Sequence, residues 1–188
     1  YLKYTYTASE IQPDMLNADI TQTTDSPSWG GLYLQYFEKF DQVQQQKGIL
    51  SVTKKLFIEK IGSDGKQELL PLGKEKLKTG DKVITRLTLS LKQDMDFLYL
   101  KDFRAACFEP IGQLSGNQWK FGTVYYEESK DAVTNFFFNS LAKGTYVLEY
   151  PVWVNQAGTY QDGIATFQSM YAPEYTAYSE AGKITVTK

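Results

Sequence analysis

The sequence predicts an all-β protein arranged as a sandwich of antiparallel sheets. Three observations predict it. Apolar residues recur at every second position in several stretches, the period of a strand with one buried face. Aromatic residues reach 15%, led by 14 Tyr and 11 Phe, and these types favour a pleated, half-buried surface. Glycine-containing turn signals punctuate the alternating stretches at short intervals, as in sandwich folds.

Residues 1–45 carry the weakest pattern. The chain opens on Tyr1-Leu2-Lys3-Tyr4-Thr5-Tyr6-Thr7, a strand-like run with no Met start. It is therefore expected to be the C-terminal piece of a longer protein. Pro13-Asp14 and Asp25-Ser26-Pro27 are turn signals, and an aromatic strand is expected over 29–37. Phe37, Phe40 and Val43 follow at a helix-like interval, but the Gln-rich end of that segment lacks apolar residues. A short helix and a linker both fit. The Gln run and Gly48 set a boundary, dividing the chain into regions 1–45 and 46–188. The first is short for a core of its own.

Beyond the boundary, strands are expected over 50–60, 83–91, 96–101, 121–126, 133–139, 146–154 and 164–170. The clearest is 83–91, where Val83, Leu87, Leu89 and Leu91 alternate with mostly polar residues. Tyr146, Leu148, Tyr150, Val152 and Val154 repeat the pattern, and Ile184 and Val186 alternate with Thr in a last strand. Gly62-Ser63-Asp64-Gly65 reads as a hairpin loop.

Composition excludes several functions. The formal net charge is −2 with no basic stripe, so nucleic-acid binding lacks an electrostatic footprint. No apolar run approaches the roughly 18 residues of a membrane-spanning helix. The sequence contains no His, which removes the commonest general base and transition-metal ligand. A lone Cys107 cannot form an internal disulfide. Without a neighbouring base it reads as a small core residue at a strand end.

Paired acids are the next candidates. Asp94, Asp96 and Asp102, or Glu127 with Glu128, supply carboxylates. Glycoside hydrolysis needs two carboxyls at a set separation, and Glu127 and Glu128, being adjacent on a strand, point to opposite faces. The acids read as solvated turn charges. Asp94-Met95-Asp96 lacks the Gly and distal Glu of a calcium loop. No phosphate-binding glycine loop or nucleophile elbow is present. Neither an enzyme activity nor a cofactor is expected. Trp119, Tyr125 and Tyr126, with Trp153, offer an aromatic platform for sugar or peptide. Their other reading is ordinary core.

Five ordered blocks carry a resemblance. They are Trp29-Gly30-Gly31-Leu32-Tyr33-Leu34-Gln35-Tyr36-Phe37-Glu38; Asp94-Met95-Asp96-Phe97 through Lys101-Asp102-Phe103-Arg104-Ala105 to Phe108-Glu109-Pro110; Asp131-Ala132-Val133-Thr134-Asn135-Phe136-Phe137-Phe138; Lys143-Gly144-Thr145-Tyr146-Val147-Leu148-Glu149-Tyr150; and Met170-Tyr171-Ala172-Pro173-Glu174. In this order the chain resembles the C-terminal end of bacterial alpha-2-macroglobulin proteins, notably the long Bacteroidetes-type members.

The resemblance implies a fibronectin-III-like macroglobulin sandwich over 46–188, with 1–45 the C-terminal part of a CUB-like β-domain. It implies a non-catalytic module of an envelope protease trap, periplasmic or surface-anchored. Its partners would be the thioester and CUB-like domains of the same parent chain and the target proteases. Cys107-Phe108-Glu109-Pro110 is similar to the family's Cys-x-Glu-Gln, but Pro110 stands where the acyl donor Gln must be, so no thioester forms here. The resemblance gives Met170 and Tyr171, with Tyr175 beside them, the role of covering the thioester of the parent chain's thioester domain against water. The residues alone equally allow Met170 in the core and Tyr171 as an anchor of the turn before Pro173.

Overall fold

A computed structural model describes residues 2–17, 19–73, 76–112, 114–120 and 122–188. The chain divides into two units, Tyr1–Phe37 and Glu38–Lys188.

The first unit contains one short 3-10 helix, Pro13–Leu16, and no strand among its described residues. The strand expected over 29–37 does not form. Trp29, Tyr33 and Phe37 are exposed, and none of residues 29–37 lies in a ladder. A strand requires a hydrogen-bonded neighbour as well as suitable side chains. Tyr1, at the head of the expected opening strand, lies outside the described residues.

The second unit is all-β. After a 3-10 turn at Phe40–Gln42, where a longer helix was one expectation, come fourteen strands among the described residues. They are β1 (Leu50–Ile61), β2 (Gln67–Pro71), β3 (Leu77–Lys78), β4 (Lys82–Leu91), β5 (Met95–Phe103), β6 (Phe108–Pro110) and β7 (Gly116–Lys120), then β8 (Thr123–Ser129), β9 (Val133–Leu141), β10 (Gly144–Val154), β11 (Gly158–Asp162), β12 (Ala165–Ser169), β13 (Thr176–Tyr178) and β14 (Gly182–Thr187). The strand expected over 121–126 begins at Phe121, outside the described residues, and forms from Thr123 onward.

These strands make an antiparallel sandwich, as the alternation predicts. One sheet has the order β2-β1-β4-β10-β6 and the other β13-β12-β5-β9-β8-β7. A smaller sheet, β11-β14-β3, contains one parallel pair, β14 with β3. Val83, Leu87, Leu89 and Leu91 of β4 are buried, as are Leu148, Tyr150, Val152 and Val154 of β10. The facing sheet contributes Leu98, Leu100, Phe136, Phe138 and Phe167 to the same core. Such burial is the main stabilising term, about 25 cal/mol per Å² of apolar surface removed from water.

Two glycines set backbone geometry. Gly65, with φ +78, closes the β1–β2 hairpin at the expected place. Gly163, between β11 and β12, faces a crowded neighbour: a Cβ there would lie 2.2 Å from the Phe103 carbonyl oxygen. Main chain cannot rotate away as a side chain does. Gly163→Ala is expected to lower stability by about 1–3 kcal/mol, the usual cost of overpacking. A thermal melt checks this, and an unchanged midpoint would show that the two segments separate freely.

Candidate functional site

The Met170–Glu174 segment is the turn joining β12 to β13. β12 alternates strictly, with Ala165, Phe167 and Ser169 buried. The next residue emerges from the sheet. Met170 is 50% exposed and Tyr171 is 78% exposed. Tyr175 is partly buried and packs against the core.

Hydrogen bonds brace this turn. The Ser169 N–H donates to the Tyr175 carbonyl at 3.0 Å, and the Tyr175 N–H to the Ala172 carbonyl at 2.9 Å. The Ala172 N–H donates to the buried Ser169 hydroxyl at 3.2 Å. From β5, the Phe97 carbonyl accepts the Met170 N–H at 2.9 Å. The Phe97 ring meets Tyr171 edge to face, with centroids 5.3 Å apart and planes at 90°. Phe97 is itself 48% exposed. Tyr171 and Phe97 thus form an exposed aromatic pair on a defined backbone, with the half-exposed Met170 next in sequence.

Phe97 stands in the Asp94-Met95-Asp96-Phe97 block, but the sequence assigns it no task. Its contact with Tyr171 joins positions 74 residues apart (171 minus 97). No local pattern encodes such a contact.

The aromatic platform requires correction. Tyr125 is 3% exposed and belongs to the core, against Phe136 and Phe138. Burial pushes its hydroxyl up to about 12. Tyr125 and Tyr126 are consecutive in β8, so they must face opposite sides. Trp119 and Tyr126 are on the outside, 82% and 42% exposed. The three residues do not share a surface.

Cys107 is buried, as expected of a small core residue, and burial raises its thiol to about 11. It is not a thiolate at neutral pH. Glu127 and Glu128 separate as predicted. Glu127 pairs with the inward Phe136, and burial raises its carboxyl. Glu128 accepts from Asn135 at 2.8 Å, and that bond lowers its carboxyl. No cluster of three or more metal-ligating side chains occurs among the described residues.

Asp102 requires a second correction. It is fully buried, not a solvated turn charge. Lys54 reaches it from β1 at 3.0 Å and reaches Asp162 of β11 at 2.9 Å. The same ammonium donates to the Phe103 carbonyl at 2.7 Å and the Gly163 carbonyl at 2.8 Å. Tyr150 of β10 donates its hydroxyl to the other Asp102 oxygen. Burial opposes the Lys54 charge, but Asp102 and Asp162 outweigh it and hold the ammonium above its usual range. Burial raises the Asp162 carboxyl even though Lys54 pulls it down. Through Lys54 of β1, Asp102 of β5 and Asp162 of β11, the cluster ties strands of all three sheets together.

The model for the Bacterial Alpha-2-macroglobulin MG10 domain matches residues 50–174, running through the Met170–Glu174 turn. No curated protein matches the sequence. Escherichia coli alpha-2-macroglobulin activated by porcine elastase superposes with a TM-score of 0.61 at 20% identity, over 78% of this chain and 14% of that one. Salmonella alpha-2-macroglobulin reacted with methylamine gives 0.59 at 20% identity, over 78% and 10%. The native conformation of the Escherichia coli protein gives 0.58 at 18% identity, over 83% and 10%. The chain therefore spans between 10% and 14% of the length of these proteins.

Proposed function

Because the chain belongs to the bacterial alpha-2-macroglobulin MG10 domain family, we propose that it serves as a non-catalytic β-sandwich module of a protease trap. Its task is to pack against the thioester domain of the same parent chain and keep water from the reactive acyl group. Met170 and Tyr171 make the contact, and Tyr175 anchors the turn that presents them. Residues 1–45 belong to the CUB-like part of the parent and 46–188 to the terminal macroglobulin domain. Proteases engage the parent protein in the cell envelope.

One observation carries this reading. A half-exposed thioether and a largely exposed phenol ring occupy consecutive positions on a turn fixed by main-chain hydrogen bonds. Exposed apolar groups on a rigid support mark a surface meant to be covered. A thioether adapts to an uneven partner surface, and the phenol adds a broad apolar face with a polar end.

The test is Tyr171→Ala in the intact protein, following the reaction of its thioester with methylamine, the reagent used on the Salmonella relative. Losing about 1.5 kcal/mol of ring burial should raise the reaction rate about tenfold. An unchanged rate rejects the shield. The sugar- or peptide-platform reading loses Tyr125 to the core and is not carried forward.

A further inference from the structure

Phe97 is the one non-glycine residue with positive φ among the described residues, at φ +52. An aromatic side chain is a true outlier in that region. Such residues persist where their surroundings over-determine them, and they gather at clamps and switch points. At Phe97 the alternation of β5 breaks. Leu98 points into the core, yet Asp96 and Phe97 are both exposed.

The surroundings explain how the conformation is held. Leu98 pairs with Ser169 of β12, which fixes the strand just beyond Phe97. On the other side, Asp94 accepts the Lys143 N–H at 2.7 Å, and Met95 packs against the core. Between these supports the Phe97 carbonyl takes the Met170 N–H, and its ring meets Tyr171. Main chain and ring of one residue therefore engage both exposed members of the turn.

We propose that Phe97 is a positioning residue for Tyr171: its left-handed backbone conformation delivers the ring that holds the tyrosine upright beside Met170. Without that ring, Tyr171 is free to sample other rotamers. What the held tyrosine covers rests on the shielding function proposed above. The positioning itself does not.

Phe97→Gly separates ring from strain, because glycine adopts positive φ readily. In the 188-residue chain, the melting midpoint should stay at or above that of the parent sequence. The ring-current shifts of the Tyr171 protons and their cross-relaxation with ring 97, seen by NMR, should be lost. Phe97→Tyr should restore both. In the intact protein, Phe97→Gly should speed the methylamine reaction roughly two- to tenfold, the factor matching an edge-to-face preference. Tyr171 resonances unmoved by Phe97→Gly would overturn the proposal, as would a collapsed melting midpoint, which would make Phe97 a residue of the fold. Tyr171 resonances that move while the methylamine rate stays constant would support the positioning and reject the shield.

Discussion

Lys54→Met is expected to destabilise the domain by about 3–5 kcal/mol, the usual cost of removing one partner from a buried ion pair. Lys54 and Asp102 have side chains 3% and 0% exposed. Methionine fills much of the lysine's volume, so packing is largely kept and the loss is electrostatic. It would leave Asp102 without its counter-ion and Asp162 beside it. It would also strip the Phe103 and Gly163 carbonyls of their donor. Against a typical total of 5–15 kcal/mol, the variant should be marginal or unfolded. Urea unfolding followed by fluorescence measures the change. A loss below about 1 kcal/mol would mean that water reaches the cluster and screens it.

The same cluster sets a pH dependence. Lys54 is held above its ordinary value despite burial, through Asp102 and Asp162. Its contribution is complete below the unfolded lysine value, about 10.4, and is lost as pH rises through the higher folded value. Asp162 is also raised, chiefly by burial. Its contribution is complete below the unfolded aspartate value, about 3.9, and is lost as pH rises through its folded value. Two carboxylates share one ammonium at this site, and Asp162 is the one whose charge burial disfavours. Asp162→Asn keeps an oxygen for Lys54 and removes the surplus charge. Its urea midpoint at pH 7 should exceed that of the parent sequence, and the gap should narrow on acidification. A lower midpoint at pH 7 would show that Lys54 needs both charges.

Strand parity accounts for both what was legible in the sequence and what was missed. In β4 and β10 one face is apolar nearly throughout, so alternation and burial coincide. Lys54 shares the inward parity of Val52, Leu56 and Ile58, and Asp102 that of Leu98 and Leu100. Their positions therefore pointed inward, but residue type argued for solvent, because charges are seldom buried unless paired. The pairing joins residues 48 positions apart (102 minus 54) and has no local signature. Tyr125 fails as a platform residue by the parity rule that separates Glu127 from Glu128. Short strands such as β3 and β6 hold too few residues to show a period. Trp29–Phe37 shows the converse, with strand-forming residues outside any ladder. At the candidate site, the sequence singled out the Met170–Tyr171 turn, whereas Phe97 required the fold, since φ +52 at an aromatic residue has no compositional cue.

Phe167→Ala carries the second large effect, an expected loss of about 3–5 kcal/mol. Phe167 is 0% exposed and meets Phe138 edge to face at 6.4 Å. It lies in β12, paired with Leu100 on one side and Ala177 on the other, so a cavity there weakens a strand held on both edges. The strand also carries the candidate site, since Ser169 ends β12 and Met170 and Tyr171 follow. Truncation should therefore lower the urea midpoint and reduce hydrogen-exchange protection at Ser169 and Met170, whose amides donate to Tyr175 and Phe97. Tyr171→Ala, at a largely exposed position, should cost no more than about 1.5 kcal/mol, the upper worth of its edge-to-face contact with Phe97. The two variants thus distinguish a surface residue from the strand beneath it. If Phe167→Ala left the protection at Met170 intact, the turn would owe its rigidity to β5 alone.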